Sequence, residues 1–321
     1  MDKFLSCDWG SSVFRLRLAN LETAEVIAAE TTGDGIIKTF NSWKEAGDTD
    51  PESRFAFFMN IISQQVRALE NILTASLSGV PLVISGMASS SIGMKTLPYR
   101  ELPLELDGSN LMVDYSEQGD GPVLLISGLK TDKDVIRGEE TQLIGCFDDG
   151  GFTGGEQLYI FPGTHSKHIL IKDEQAIGFR TYMTGEFFDL LSQHSILSAT
   201  IETDKELHTS SFHQGVQDAI GTNLLHACFS VRTNGLFDKL SKTENYHYLS
   251  GLLIGSELQE LGDTKYDRVC LCSGAGLKTH YETALHLLGL SSRLVVFDGP
   301  AMDEAVIRGQ RKILLNKLKH E

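Results

Sequence analysis

Residues 4–18 read FLSCDWGSSVFRLRL. The first six suit a strand that ends at Trp9. Gly10, Ser11 and Ser12 make a turn, and Val13 to Leu18 alternate apolar and basic residues with the period of a second strand. One face of that hairpin is expected to be buried and the other to be basic. An Asp at a strand end beside a glycine and two hydroxyl residues can hold a hydrated Mg2+, while backbone N–H groups of the turn face phosphate oxygens. The same residues can also do no more than close a turn. A second unit of this style follows at 158–171, LYIFPGTHSKHILI, with Gly163, Thr164, His165, Ser166 and Lys167 at or beside its tip. Two such hairpins, one near the start of each half, hint at an internal duplication.

Working outward, residues 53–75 carry apolar side chains at helical spacing, and Gly79-Val80-Pro81 closes that helix before a strand at 82–85. The small, polar run after Gly86 (MASSSIGMKTLPY) reads as a loop leaving the C-terminal end of a strand, where open α/β sheets place ligands. A strand at 123–126 precedes Gly138 and a helix carrying Leu143, Ile144 and Phe147. The Gly-rich stretch 150–155 reads as a surface turn. Segments 183–200, 212–231 and 246–261 have helical patterns. They are followed by a strand at 269–272, a Ser273-Gly274-Ala275-Gly276 turn, a helix at 281–288, a strand at 294–297 and a last amphipathic helix from about Met302. The reading places the domain boundary so that residues 1–136 form one domain and 137–321 the other, the last helix returning to the first.

Composition narrows the function. The 321 residues suffice for two domains, and 41% apolar with 22% charged residues describes an ordinary globular chain. The net charge of −15, from 43 acidic and 28 basic residues, repels a phosphate backbone and argues against a nucleic-acid partner. No apolar run is long enough to span a bilayer and the first residues lack a leader pattern, so the expectation is a cytoplasmic protein with no membrane partner. Cys7, Cys146, Cys228, Cys270 and Cys272 are odd in number and sit mostly in apolar runs, as reduced core thiols do.

Two further clusters carry chemistry. Gly274, Ala275 and Gly276 between a strand and a helix would let a flat ligand or a phosphate approach the backbone. In Arg137-Gly138-Glu139-Glu140, two carboxylates open a helix beside a glycine. They can serve the helix dipole alone, or one can take the proton of an attacking hydroxyl.

In their order, DWGSS, ISGMASSSIGMKTLPY, RGEETQLIG, FPGTHSKH, FRTYMTGE, LSGLLIGSE and SGAG resemble the 2-dehydro-3-deoxygalactonokinases, within the actin/hexokinase-like superfamily. The resemblance spans nearly the whole chain. It implies an α/β fold of two RNase H-like domains with a central nucleotide cleft. The activity it implies is transfer of phosphate from ATP, with Mg2+, to the C6 hydroxyl of 2-dehydro-3-deoxygalactonate in galactonate catabolism. On that pattern Gly10, Ser11 and Ser12 form a first phosphate loop and Asp8 acts on Mg2+ through water. Gly163, Thr164 and His165, with Lys167 beside them, form a second phosphate loop, and Gly274, Ala275 and Gly276 meet the adenosine. Gly86, Met87, Ser89 and Ser90 meet the sugar acid, and Lys95 and Arg137 are the cations for its carboxylate. Glu139 is preferred as the base over Glu140. A kinase for another sugar or sugar acid, or a non-catalytic sensor, would share this fold, and a homodimer stays open as an assembly.

Overall fold

The computed structural model describes residues 2–47, 49–117, 121–149, 154–262 and 266–319. Residues 150–153 of the Gly-rich stretch lie outside the described residues. Internal contacts divide the chain into two compact units. One comprises 1–153, 174–178 and 300–321, and the other 154–173 and 179–299.

The first unit is built on the strands β1 (Lys3–Trp9), β2 (Phe14–Asn20), β3 (Val26–Thr32), β4 (Leu82–Gly86), β5 (Val113–Ser116) and β6 (Val123–Ile126), in the order β3-β2-β1-β4-β6-β5. β1 pairs antiparallel with β2 and parallel with β4, and β4 pairs parallel with β6. Its helices are α1 (Ile36–Glu45), α2 (Pro51–Leu73), α3 (Glu139–Asp149) and α9 (Gly299–Lys319), the last beginning one residue before the unit resumes. Pro51 at the first helical position starts α2, with the Asp50 carboxylate accepting from Ser53 N–H; Thr74, in the left-handed region, stops it. The core is where the amphipathic patterns point. Trp9 is fully buried against Phe14 and Phe58, with ring centroids 4.8 and 5.2 Å away.

The second unit has β7 (Glu156–Phe161), β8 (Ser166–Lys172), β9 (Gln175–Tyr182, of which 175–178 count with the first unit), β10 (Arg268–Cys272) and β11 (Leu294–Phe297), in the order β11-β10-β7-β8-β9. β7 pairs antiparallel with β8 and parallel with β10, and β10 pairs parallel with β11. Counting strands within each unit, the two sheets share the order 3-2-1-4 followed by one more parallel strand, β6 in the first and β11 in the second, which is the RNase H-like arrangement; β5 lies beyond β6 at the edge of the first. Helices α4 (Thr184–His194), α5 (Thr209–Ala219), α6 (Leu224–Leu236), α7 (Lys242–Leu258) and α8 (Ala275–Leu287) complete this unit.

Three expectations change. The division follows residue 153 rather than 136, because α3 packs on α9: a Cβ added at Gly145 would stand 1.8 Å from the Ala305 carbonyl oxygen, and the Cys146 and Met302 sulfurs are 3.7 Å apart. The helical pattern at 212–231 is split in two, with Gly221 at positive φ and Asn223 capping α6 through two backbone N–H groups. α8 begins at Ala275, so Ala275 and Gly276 are its first turn and Gly274 its N-cap, rather than parts of a loop. Four of the five cysteines, Cys7, Cys146, Cys270 and Cys272, are buried.

Candidate active site

In the first unit the turn after β1 is held from below by a helix. The Gly10 carbonyl accepts from Ile36 N–H at 3.0 Å and the Ser11 carbonyl from Ile37 N–H at 3.1 Å, so the turn satisfies the first donors of α1. Gly35 allows this approach, since a Cβ there would meet the Ser12 carbonyl carbon at 2.3 Å. In a trans peptide the N–H points opposite to the preceding C=O. The N–H groups of Ser11 and Ser12 therefore face away from α1, beside two exposed hydroxyls.

Asp8 is the last residue but one of β1, just before that turn. Its side chain is 18% exposed and its carboxylate meets Arg15 Nη1 at 3.2 Å, across the antiparallel pair Asp8–Arg15. Burial raises its pKa above the usual carboxylate value, against the opposing pull of Arg15 and Arg17. Arg17, itself buried, is ion-paired with Asp303 at 2.7 Å, which joins the basic face of β2 to α9.

Three motifs that are far apart in sequence meet at the strand ends of this unit. Gly86 has φ +85°, and a Cβ on it would stand 2.7 Å from the Trp9 carbonyl oxygen. Gly138 has φ +107°, and its Cβ would stand 3.3 Å from the Gly86 Cα. Neither position accepts a side chain without strain. The start of α3 is thereby set beside the ends of β1 and β4.

There the two carboxylates differ. Glu139 is half-buried, and its Oε2 accepts from Arg137 N–H at 3.0 Å. Glu140 is 1% exposed, accepting from Gly138 N–H at 2.7 Å and from the Thr141 hydroxyl at 3.1 Å. Burial, and secondly the charge of Glu139, raise its pKa to about 7.

The proposed cations of the 86–99 loop do not act together. The Arg137 guanidinium donates to Ser89 Oγ and to the Leu97 carbonyl, and stacks 4.2 Å from the Tyr99 ring centroid. Ser89 in turn donates to the Ile126 carbonyl at 2.6 Å. Lys95 is ion-paired with Asp114 at 2.7 Å, in a groove of about 780 Å³ whose lining includes Arg54, Phe55 and Met94 but not Arg137. Ser90 Oγ is buried and, among the described residues, has no hydrogen-bond partner.

The second unit repeats the helix-backed turn. The Thr164 carbonyl accepts from Glu186 N–H at 3.0 Å in the first turn of α4, and a Cβ on Gly185 would stand 2.6 Å from the Gly163 carbonyl oxygen. The His165 N–H therefore faces away from α4. The His165 ring meets Glu186 at 2.5 Å, and Lys167 Nζ donates to the His165 carbonyl at 2.6 Å. Ser166 and Lys167 belong to β8, so the turn proper is Pro162 to His165.

Gly163, Gly185 and Gly276 line a cavity of about 160 Å³, together with Phe188, Tyr246, Leu253, Ile254, Leu277 and His280. Apolar and aromatic walls suit a flat base, and glycine backbone suits a close ribose or phosphate. Clefts for drug-sized ligands run to about 300–1,000 Å³, so this one takes a single flat moiety. Of the Gly274–Gly276 turn, Gly276 lines it, and Gly274 and Ala275 do not. Sequence reasoning missed Thr184, Glu257 and Tyr281, which stand behind the Pro162–His165 turn. Glu257 could have been singled out as a lone carboxylate at the end of the apolar helix segment 247–258.

The model of the 2-keto-3-deoxy-galactonokinase family matches residues 8–313, from Asp8 into α9. The chain belongs to the 2-keto-3-deoxy-galactonokinase family. It is 33% identical over 319 residues to a protein of Rhizobium meliloti named as a probable 2-dehydro-3-deoxygalactonokinase, covering 95% of this chain and 94% of that one. It is 32% identical over 225 residues to the 2-dehydro-3-deoxygalactonokinase of Escherichia coli, covering 68% and 74%. A crystal structure from Sinorhizobium meliloti, whose name carries the same activity with a similar qualification, matches with TM-score 0.78 at 31% identity, over 96% and 94% of the two chains. Among the described residues, no helix of this family member is long and apolar enough to cross a membrane.

Proposed function

We propose that this chain transfers the γ-phosphoryl group of ATP to the C6 hydroxyl of 2-dehydro-3-deoxygalactonate, releasing ADP. The supporting observation is the family match over residues 8–313, which takes in both helix-backed turns and the carboxylate pair of α3. Glu139 is the base in this reading. It opens α3 and is half-buried, whereas Glu140 is enclosed and holds the Gly138 and Thr141 donors. Glu139 takes the hydroxyl proton, the freed oxygen bonds to phosphorus, and the bond from phosphorus to the ADP oxygen breaks.

The N–H groups of Ser11, Ser12 and His165, turned away from α1 and α4, suit phosphate oxygens, and the cavity at Gly163, Gly185 and Gly276 suits the adenosine. Asp8 fits a divalent cation held through water: burial has already raised the cost of its charge, and a cation would offset that cost. Mg2+ bound there would neutralise phosphate charge. Arg137 keeps the 86–99 loop in shape, and the buried Ser90 hydroxyl is left to meet the sugar acid beside Gly86 and Met87. We assign Lys95 no contact with the acid, since it faces Asp114 in a separate groove. The reading places the reaction in the cytoplasm, where ATP is supplied.

The test is ADP release with 2-dehydro-3-deoxygalactonate, other sugar acids and neutral hexoses. Turnover should be fastest with the named acid. Equal turnover of neutral hexoses would refute the substrate, and no ADP with any acid would favour a sensor.

A further inference from the structure

The unit of residues 154–173 and 179–299 buries a carboxylate that the reaction described above does not use. Glu257 stands near the end of α7 with its side chain 1% exposed. One oxygen meets His168 Nε2 at 2.8 Å. The other accepts from the Tyr281 hydroxyl at 2.7 Å and from the Thr184 hydroxyl. Tyr281 has one proton and gives it to Glu257, so at the 2.8 Å contact between Ser166 Oγ and Tyr281 Oη the serine is the donor. Burial, and then the Glu257 charge, hold the Tyr281 pKa well above its usual value and keep it a phenol. The direction of the chain is thus fixed: Ser166 to Tyr281 to Glu257, with Thr184 and His168 arriving from the other sides.

Burying an ionised carboxylate costs free energy unless its acceptors are filled. Here α4, α8 and β8 each supply a donor. Their positions show what the arrangement fixes. Ser166 is the residue that follows the Pro162–His165 turn, and Thr184 opens α4, whose Gly185 and Glu186 pack against Gly163 and bond Thr164 from the other side. Tyr281 and Thr184 also line the cavity that Gly163 and Gly276 share. One carboxylate therefore holds both supports of the turn.

We propose that Glu257 is a positioning residue for the phosphate end of the nucleotide, acting through Tyr281 and Ser166 on the exit of the Pro162–His165 turn and through Thr184 on the first turn of α4. This rests on the reading of the chain as an ATP-dependent kinase. Glu257 touches no reacting atom. It fixes where the turn's N–H groups stand, and a displacement of about 1 Å in such a group is enough to cost roughly a hundredfold in rate.

The two arms can be cut separately. Tyr281→Phe removes the link to Ser166, and Thr184→Val removes the link to α4; both keep the packing volume. Glu257→Gln cuts both but can be partly accommodated, because the His168 ring can present either nitrogen state to the new amide. Binding is read by titration calorimetry with AMP and with the non-hydrolysable analogue AMPPNP, both in Mg2+ and without sugar acid. Tyr281→Phe and Thr184→Val should each weaken AMPPNP about tenfold, the loss of roughly one hydrogen bond's worth of orientation. AMP should change less than twofold, and Thr184→Ser should restore AMPPNP. In turnover, the Michaelis constant for ATP should rise while that for the acid holds.

Unchanged AMPPNP affinity in both variants overturns the proposal. So does an equal loss for AMP and AMPPNP, which would make the cluster a support of the fold alone; Thr184→Ser, with its hydroxyl kept, gives a folded comparison if Thr184→Val is unstable. An unsubstituted chain that binds neither nucleotide fails at the kinase reading itself, a result separate from these.

Discussion

The two turns, Gly10 to Val13 and Pro162 to His165, have the same supports but different electrostatics. Each ends the first strand of an equivalent sheet, and each packs its carbonyls on the first turn of a helix through a glycine, Gly35 in one case and Gly185 in the other. The last registered pairs are Trp9–Phe14 and Phe161–Lys167, so the cross-strand pair Asp8–Arg15 corresponds to Ile160–His168. The first hairpin carries its carboxylate in the strand, where it is partly open and ion-paired. The second has a fully buried Ile160 there, and its histidine finds a carboxylate on a distant helix, at Glu257. Strand pairing and a helix behind it support each turn in the same way, and the two differ in where the negative charge sits. In the proposed reading both turns meet phosphate, the carboxylates for base and cation lie in the first unit, and the cavity for the adenosine lies in the second.

The largest expected effect lies on the chemistry side. Glu139→Gln should lower turnover about 10²- to 10⁴-fold, with both substrates still bound, as removal of a general base does. Comparable loss of ATP affinity in calorimetry would erase the division of labour. Next, Asp8→Asn should slow turnover roughly a hundredfold while the Michaelis constant for the acid changes little, and raised Mg2+ should recover part of the rate. There is no corresponding experiment at Ile160, and that is the sharpest statement of the asymmetry.

Smaller effects test the shared support. Gly35→Ala and Gly185→Ala each place a methyl against backbone at 2.3–2.6 Å, so each should destabilise by about 1–3 kcal/mol and raise the Michaelis constant for ATP. If only one of them does so, the two turns are not equivalent in use.

The last effect concerns pH and stability rather than turnover. The folded pKa of Glu140 lies above its ordinary value, at about 7. The folded state therefore holds the proton more tightly between those values, and stability should fall as pH rises from about 5 to 8. Glu140→Gln should flatten that part of a denaturation–pH profile. A slope unchanged by the substitution would show that Glu140 is not its source.

Much of this was legible in the sequence because the signals were local. The first hairpin follows from alternation, and the second hairpin and the strands at 123–126 and 294–297 from short apolar runs with Gly or Pro at or near their ends. The carboxylates of Glu139 and Glu140 stand at a helix start because Gly138 precedes them. What could not be read depends on long-range packing. Asp303 reaches Arg17, and Thr184 reaches Glu257, with nothing in either segment to announce the partner. The division after residue 153 follows from the crossing of α3 and α9, whose small residues look unremarkable in a linear reading. Lys95 and Arg137 flank one loop in sequence, yet their charged groups have different partners.

One buried side chain on α9 bears on how the polypeptide is made. Gln310 donates from its amide to the Cys7 carbonyl and to Ser85 Oγ, both at 2.8 Å, so it bridges the two central strands of the first sheet. Those strands leave the ribosome more than two hundred residues before the glutamine that joins them. Between these events the segments 154–173 and 179–299 emerge with nearly all of their own sheet and core. Domains on a growing chain usually mature from the N-terminus onward. Here the order of completion is reversed: the unit whose first strands emerge earlier closes after the other, and until then the ends of β1 and β4, where Asp8 and Gly86 lie, await their final fastening.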